Sequence, residues 1–122
     1  MPMKTASQLV AEADAVVTAL SAGEALALIG APGVLFVDLR EPDEVEATRL
    51  MPGAVHVPRG VLEWIADPAN PRHRVEFSEA KRVVLYCAGG GRSALAAKAL
   101  QDMGMDNVAH VAGGFAAMQG GG

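Results

Sequence analysis

The residue types best suited to chemistry in this chain lie in one stretch, Cys87-Ala88-Gly89-Gly90-Gly91-Arg92-Ser93. A thiolate is a strong nucleophile, and a helix N-terminus or a nearby cation favours that form over the thiol. The residues before the cysteine, Arg82-Val83-Val84-Leu85-Tyr86, read as a buried strand. Those after it, Ser93 to Met103, read as a helix rich in Ala, Leu and Lys that Gly104 stops. The cysteine is thus expected between a strand end and the positive end of a helix dipole. Three glycines let the connecting backbone curl without Cβ clashes, so the amides of Ala88 to Arg92 are expected to turn inward as an anion nest. Arg92 adds a fixed charge and a planar fork suited to an oxyanion. Ser93 is expected to cap the helix and to donate toward the Cys87 sulfur. The plainer alternative is a buried structural cysteine beside a tight turn, since unpaired cysteine is among the most buried residue types. Such a cysteine needs neither a glycine nest nor an arginine.

The elements that must position this stretch alternate between strand and helix. A first helix is expected over Ser7 to Ala15, capped by Ser7 and with Leu9, Val10 and Ala13 at helical spacing; a short strand is expected at Val16-Val17-Thr18. Ser21 with Glu24 three residues on reads as a capping box, opening a helix that ends at Gly30. Val34 to Asp38 is an apolar run ending in a carboxylate, as in a buried parallel strand. Glu41 to Thr48 is helix-compatible after Pro42; Gly53 to Val57 reads as a second short strand; Val61 to Ala66 reads as one or two helical turns. Asp67 to Ser78 is the longest expected loop. Val108 to Val111 is a final strand, and Gly113-Gly114 opens a last helix to Met118. This order predicts an α/β domain, a small parallel β-sheet flanked by α-helices on both faces, with ligands bound outside the strand ends.

Bulk properties narrow the function. The 122 residues suit a single domain, 1–122, with a core over about 14–118 and a flexible glycine-rich C-terminus. A formal net charge of −4 argues against a nucleic-acid binder, whose phosphate-reading surface needs a basic excess. One cysteine excludes a disulfide within the chain and a cysteine-paired zinc site, and suits a reducing, cytoplasmic setting. No apolar run reaches the ~18 residues of a membrane span, and the N-terminal stretch lacks the long apolar core of a signal peptide. His56, His73 and His110 show no metal-ligand spacing and are expected to be packed or solvated; the methionines, Met103, Met105 and Met118 among them, are expected to fill gaps in the core. Trp64 is expected to pack as a large apolar ring rather than wall a pocket.

Four motifs in order over nearly the whole length resemble the rhodanese-homology family. Val37-Asp38-Leu39-Arg40-Glu41 is similar to its strand ending in Asp-x-Arg. Pro52-Gly53-Ala54-Val55-His56-Val57-Pro58 is similar to its Pro-Gly-Ala segment. The Cys87 loop is the third motif, and Met103 to Val108 followed by Gly113-Gly114-Phe115 resembles the closing strand and Gly-Gly turn. The resemblance implies a sulfurtransferase that carries sulfane sulfur as a persulfide on Cys87, cradled by Ala88, Gly89, Gly90, Gly91, Arg92 and Ser93, with no metal and no organic cofactor. It implies a small anionic donor such as thiosulfate, a thiol or cyanide acceptor, and a sulfur-relay protein as a candidate partner; membrane and nucleic acid are not expected partners. Without a second cysteine, an external thiol must discharge the persulfide. Asp38 and Arg40 are expected in supporting roles, as a loop anchor and as a pocket-facing or carboxylate-paired cation. Arg59, just after Pro58, is expected at the pocket mouth or in solvent.

The loop runs six residues from cysteine to arginine, like the compact rhodanese loop; related cysteine phosphatases have one residue more, which makes room for phosphate. That count ranks sulfur transfer above a phosphatase or arsenate reductase, and the intact cysteine ranks it above a non-catalytic binding module. The sequence departs from the family in two places. Arg49-Leu50-Met51 replaces the usual Gly-His-Ile, and Met118 stands where many relatives carry tryptophan, which is expected to loosen the last helix or the pocket edge.

Overall fold

The computed structural model describes residues 2–120. Five parallel strands form one sheet in the order β1-β5-β4-β2-β3, with β1 at Thr18–Leu20, β2 at Val34–Asp38, β3 at Val55–His56, β4 at Arg82–Tyr86 and β5 at Val108–Val111. The connection after β2 leads outward to β3, whereas the connection after β4 leads the other way to β5. The crevice between the carboxyl ends of β2 and β4 is therefore a topological switch point, where open α/β sheets place their ligands. Asp38 and Tyr86, the last residues of those strands, are register partners.

Strand alternation sorts the core. Val83, Leu85 and Cys87 face one layer with Leu62 and Ala66 of α4 (Leu62–Ala66), Phe77 of α5 (Glu76–Glu79) and Ala96, Ala97 and Leu100 of α6 (Gly91–Asp102). Val84 and Tyr86 face the other layer with Ala25 of α2 (Ala22–Leu28) and Phe115 and Met118 of α7 (Gly114–Gly120). Two further α-helices, α1 (Ala6–Asp14) and α3 (Pro42–Ala47), and a 3-10 turn at Arg59–Val61 complete the elements among the described residues. The helix α1 packs against α6.

Several boundaries differ from the sequence expectation, each for a local reason. The cap of α1 is Thr5, not Ser7: Thr5 Oγ1 accepts from the Gln8 amide at 3.0 Å, while Gln8 Oε1 accepts from the Thr5 amide at 2.7 Å. Val16 and Val17 are not in β1, because both amides donate back to Ala13 O at 3.0 Å and close the end of α1. The Ser21–Glu24 capping box forms as expected. The helix α5 interrupts the stretch expected as a loop. Trp64 packs only by half: it is 50% exposed and lines a surface groove with Glu63, Asp67, Asn70 and Met103. Met118 is buried at 2% exposure and packs in the core layer that holds Val84, Tyr86 and Phe115. The expected flexible end lies outside the described residues from position 121 onward, and Gly120 closes α7. Among the described residues no helix is long and apolar enough to cross a membrane, and no group of three or more His, Cys, Asp or Glu side chains could hold a metal ion.

Candidate active site

Cys87 follows β4 directly, and its side chain is almost wholly buried beneath the loop that leads to α6. The Gly90 amide donates to Sγ at 3.1 Å. Gly90, at φ +107°, is the N-cap of α6, a backbone conformation that L side chains rarely adopt. The helix therefore begins at Gly91, and Ser93, expected as the cap, sits within its first turn. Its hydroxyl lies 3.6 Å from Sγ, 3.2 Å from Gly90 O and 2.9 Å from Nδ1 of His110.

The Gly113-Gly114 turn explains itself by what it presses against. The amides of Phe115 and Ala116 donate to Cys87 O and Ala88 O at 2.8 and 3.1 Å, so the start of α7 pins the loop. A Cβ on Gly114 would meet Cys87 O and lie 2.7 Å from Ala88 O, and its φ is +60°. Only glycine permits that approach.

Arg92 is on the rim, and its fork is not open to an oxyanion. Nη1 and Nη2 donate to the two carboxylate oxygens of Glu44 at 2.7 and 3.0 Å, bridging α6 to α3 across the crevice. The hydrogen bond to Arg92 is the main reason that the Glu44 carboxyl falls from 4.5 to about 2; the same contact raises the Arg92 guanidinium. Of the groups expected around Cys87, the Arg92 fork is thus taken by Glu44, while the Gly90 amide points at Sγ.

Asp38 and Arg40 form the opposite wall. Both are buried, and Nε and Nη2 of Arg40 grip the Asp38 carboxylate at 2.9 to 3.1 Å. The remaining donors go to Thr48 Oγ1 at 2.9 Å and Arg49 O at 2.7 Å, and the guanidinium lies 4.1 Å from the Phe115 ring centroid. Arg40 is thus carboxylate-paired, and through it Asp38 anchors residues 48–49. Tyr86, beneath them, receives the Met51 amide at 3.0 Å, and burial drives its phenol strongly upward. Arg59 pairs with Glu63 at 2.9 Å, partly exposed.

Sequence reasoning singled out the loop and the Gly113-Gly114 turn but not their contact, and it missed three residues. Glu44 holds Arg92, and Asp14 accepts from Nε2 of His110 at 2.9 Å, while His110 is itself 2% exposed and bonded to Ser93. A polar residue inside the apolar run Val108-Ala109-His110-Val111 was the one local signal. Nothing in the spacing links positions 14 and 110.

The rhodanese-like domain family matches residues 21–120. Among solved structures, a Rhodopseudomonas palustris protein of unknown function, described as a possible tyrosine phosphatase, is 42% identical with a TM-score of 0.92, covering 99% of this chain and 96% of that one. A tRNA uridine(34) hydroxylase of Erwinia tasmaniensis is 31% identical over 79% of this chain and 27% of its own length. A putative sulfur carrier protein of Bacillus subtilis, YrkF, is 32% identical over 65% of this chain and 38% of its own length. The chain thus spans well under half of these two curated relatives.

Proposed function

This chain belongs to the rhodanese-like domain family, and on that footing we propose that it transfers sulfane sulfur through a persulfide on Cys87. The observation that carries this reading is the position of Cys87 at the switch point, its sulfur bonded to the Gly90 amide inside a six-residue loop. The reaction is a two-step covalent exchange. The Cys87 thiolate forms a bond to the outer sulfur of a small anionic donor such as thiosulfate. The donor's sulfur–sulfur bond breaks, and sulfite leaves with the bonding pair. A thiolate or cyanide then takes the outer sulfur and Cys87 leaves as thiolate. The backbone of Ala88 to Arg92, with Ser93 behind it, is the cradle; Asp38 and Arg40 hold the facing wall, and Arg59 stands outside it. The three glycines give the loop the freedom to admit the donor's terminal sulfur to a buried Cys87.

The sulfur-carrier name of the Bacillus subtilis relative supports a relay in which another protein's thiol is donor or acceptor. The Rhodopseudomonas palustris relative, described as a possible tyrosine phosphatase, supports a second reading as a cysteine phosphatase. The short loop and the Glu44-paired Arg92 both count against it, since phosphate needs room and a free fork. Parallel assays decide: thiocyanate formed from thiosulfate and cyanide, and hydrolysis of an aryl phosphate, each with Cys87→Ser beside it. Cysteine-dependent thiocyanate alone is expected. Cysteine-dependent phosphate release without thiocyanate would replace this reading with the second.

A further inference from the structure

Behind the cysteine loop runs a chain of contacts whose far members, His110 and Asp14, the sulfur chemistry just described does not use. It starts at Cys87, whose thiol faces Ser93 Oγ at 3.6 Å; Ser93 Oγ meets His110 Nδ1 at 2.9 Å; and His110 Nε2 meets Asp14 Oδ1 at 2.9 Å. Each link restricts the next. An ionised carboxylate only accepts, so Nε2 carries a proton. The neutral ring then has a lone pair at Nδ1 for the single hydroxyl proton of Ser93, at 2.9 Å against 3.2 Å to the competing acceptor Gly90 O. That leaves Ser93 Oγ as an acceptor for the Cys87 thiol. The three side chains come from α6, β5 and α1, and strand alternation puts Cys87 and His110 on the same face of the sheet. Asp14 lies before the matched family span, 21–120, so the relay is completed by a helix outside it.

We infer that His110 and Asp14 are positioning residues that hold Cys87 as thiolate through Ser93. The inference rests on Cys87 being the nucleophile. The step moves protons only. The thiol proton passes to Ser93 Oγ while the hydroxyl proton passes to His110 Nδ1. An S–H and an O–H bond break, an O–H and an N–H bond form, and the products are a thiolate, a serine hydroxyl now free to donate to it, and an imidazolium paired with Asp14. The arrangement is a base oriented by a third group, acting one hydroxyl away. The pocket where the relay surfaces is lined by Val10, Asp14, Gly89 to Gly91, His110, Ala112 and Gly113, so among the described residues Asp14 and His110 are its titratable lining side chains. Arg92, on the first turn of α6, pairs with Glu44, and its charge also acts on Cys87.

The sign of one substitution separates a relay from a bare field effect. Removing the negative charge at Asp14 as a mere neighbour would ease thiolate formation. Removing it as the partner of the imidazolium would hinder it. The full chain has one cysteine, so ultraviolet thiolate absorbance corrected with Cys87→Ser reads this group alone. With Asp14→Asn the thiolate fraction near neutral pH should fall about three- to tenfold, its pH profile moving upward. Asp14→Glu should recover part of the loss, and Ser93→Ala should abolish the dependence on residue 14. Asp14 is half exposed at the end of α1, so Asp14→Asn is compatible with folding. An unchanged or lowered profile in Asp14→Asn overturns the relay. No sulfur donor enters this titration, so failure of sulfur transfer and failure of the relay are read separately. By reciprocity, Cys87→Ser should alter the titration of the His110 ring followed by NMR; an unaltered ring titration would contradict the coupling.

Discussion

The two walls of the crevice handle polarity in opposite ways. After β2, Asp38 and Arg40 bury full charges and satisfy them within the wall, on each other, on Thr48 and Arg49, and over the Phe115 ring. After β4, the wall is made of glycine backbone around a neutral-sized sulfur, with one amide on Sγ and a hydroxyl within reach. The first wall is a closed network, costly to break. The second is held from outside by the Gly113-Gly114 turn and has little side-chain bulk of its own. The wall that is costly to break therefore lies on one side of the crevice, and the cysteine of the proposed chemistry on the other.

That contrast can be broken or sharpened by substitution. The largest expected effect is on chemistry alone: Cys87→Ser should abolish sulfur transfer and leave the thermal midpoint close to that of the parent. A strong fall in the midpoint would mean that the cysteine is a packing residue. Next in size, Asp38→Ala strands a buried guanidinium and should cost about 3–5 kcal/mol in denaturant unfolding. A cost below about 1 kcal/mol would show that the facing wall is not the anchor. Gly114→Ala forces a side chain onto the loop carbonyls at positive φ; about 1–3 kcal/mol is expected, with transfer activity lost out of proportion because the loop that binds sulfur is displaced. If stability and activity fall together, the buttress has no special bearing on the site.

The smallest effect belongs to the bridge between the walls. The Glu44 carboxyl is held at about 2 against an ordinary 4.5, so the pair with Arg92 adds stability above the unfolded value and loses it as pH falls from about 4.5 through about 2. The stability difference between the parent and Glu44→Gln should be present at neutral pH and vanish over that window. Both partners are about a third exposed, so solvent screening keeps the difference modest. A difference independent of pH would remove the bridge from the account.

Much of this contrast was legible in the residues. The runs Val34–Asp38 and Arg82–Tyr86 are strands over the expected residues, because largely apolar runs without alternation suit strands of a parallel sheet covered on both faces. The Cys87 loop was visible because three glycines after a strand let the backbone curl, and the Gly-Gly turn because it follows the last strand and opens a helix; their close approach was not. What escaped were partners chosen by tertiary placement. Arg92 looked like a free fork because Glu44 is 48 positions away. His110 looked like an ordinary packed histidine because Asp14 is 96 positions away. Trp64 was expected to pack by size, yet no neighbour covers its outer face.

The central claim is tested most directly by intact mass after incubation with excess thiosulfate, with Cys87→Ser alongside. The account predicts a gain of about 32 Da, one sulfur atom, reversed by a thiol and absent from the substituted chain. No gain with thiosulfate or with a persulfide donor, in a folded protein, would contradict it.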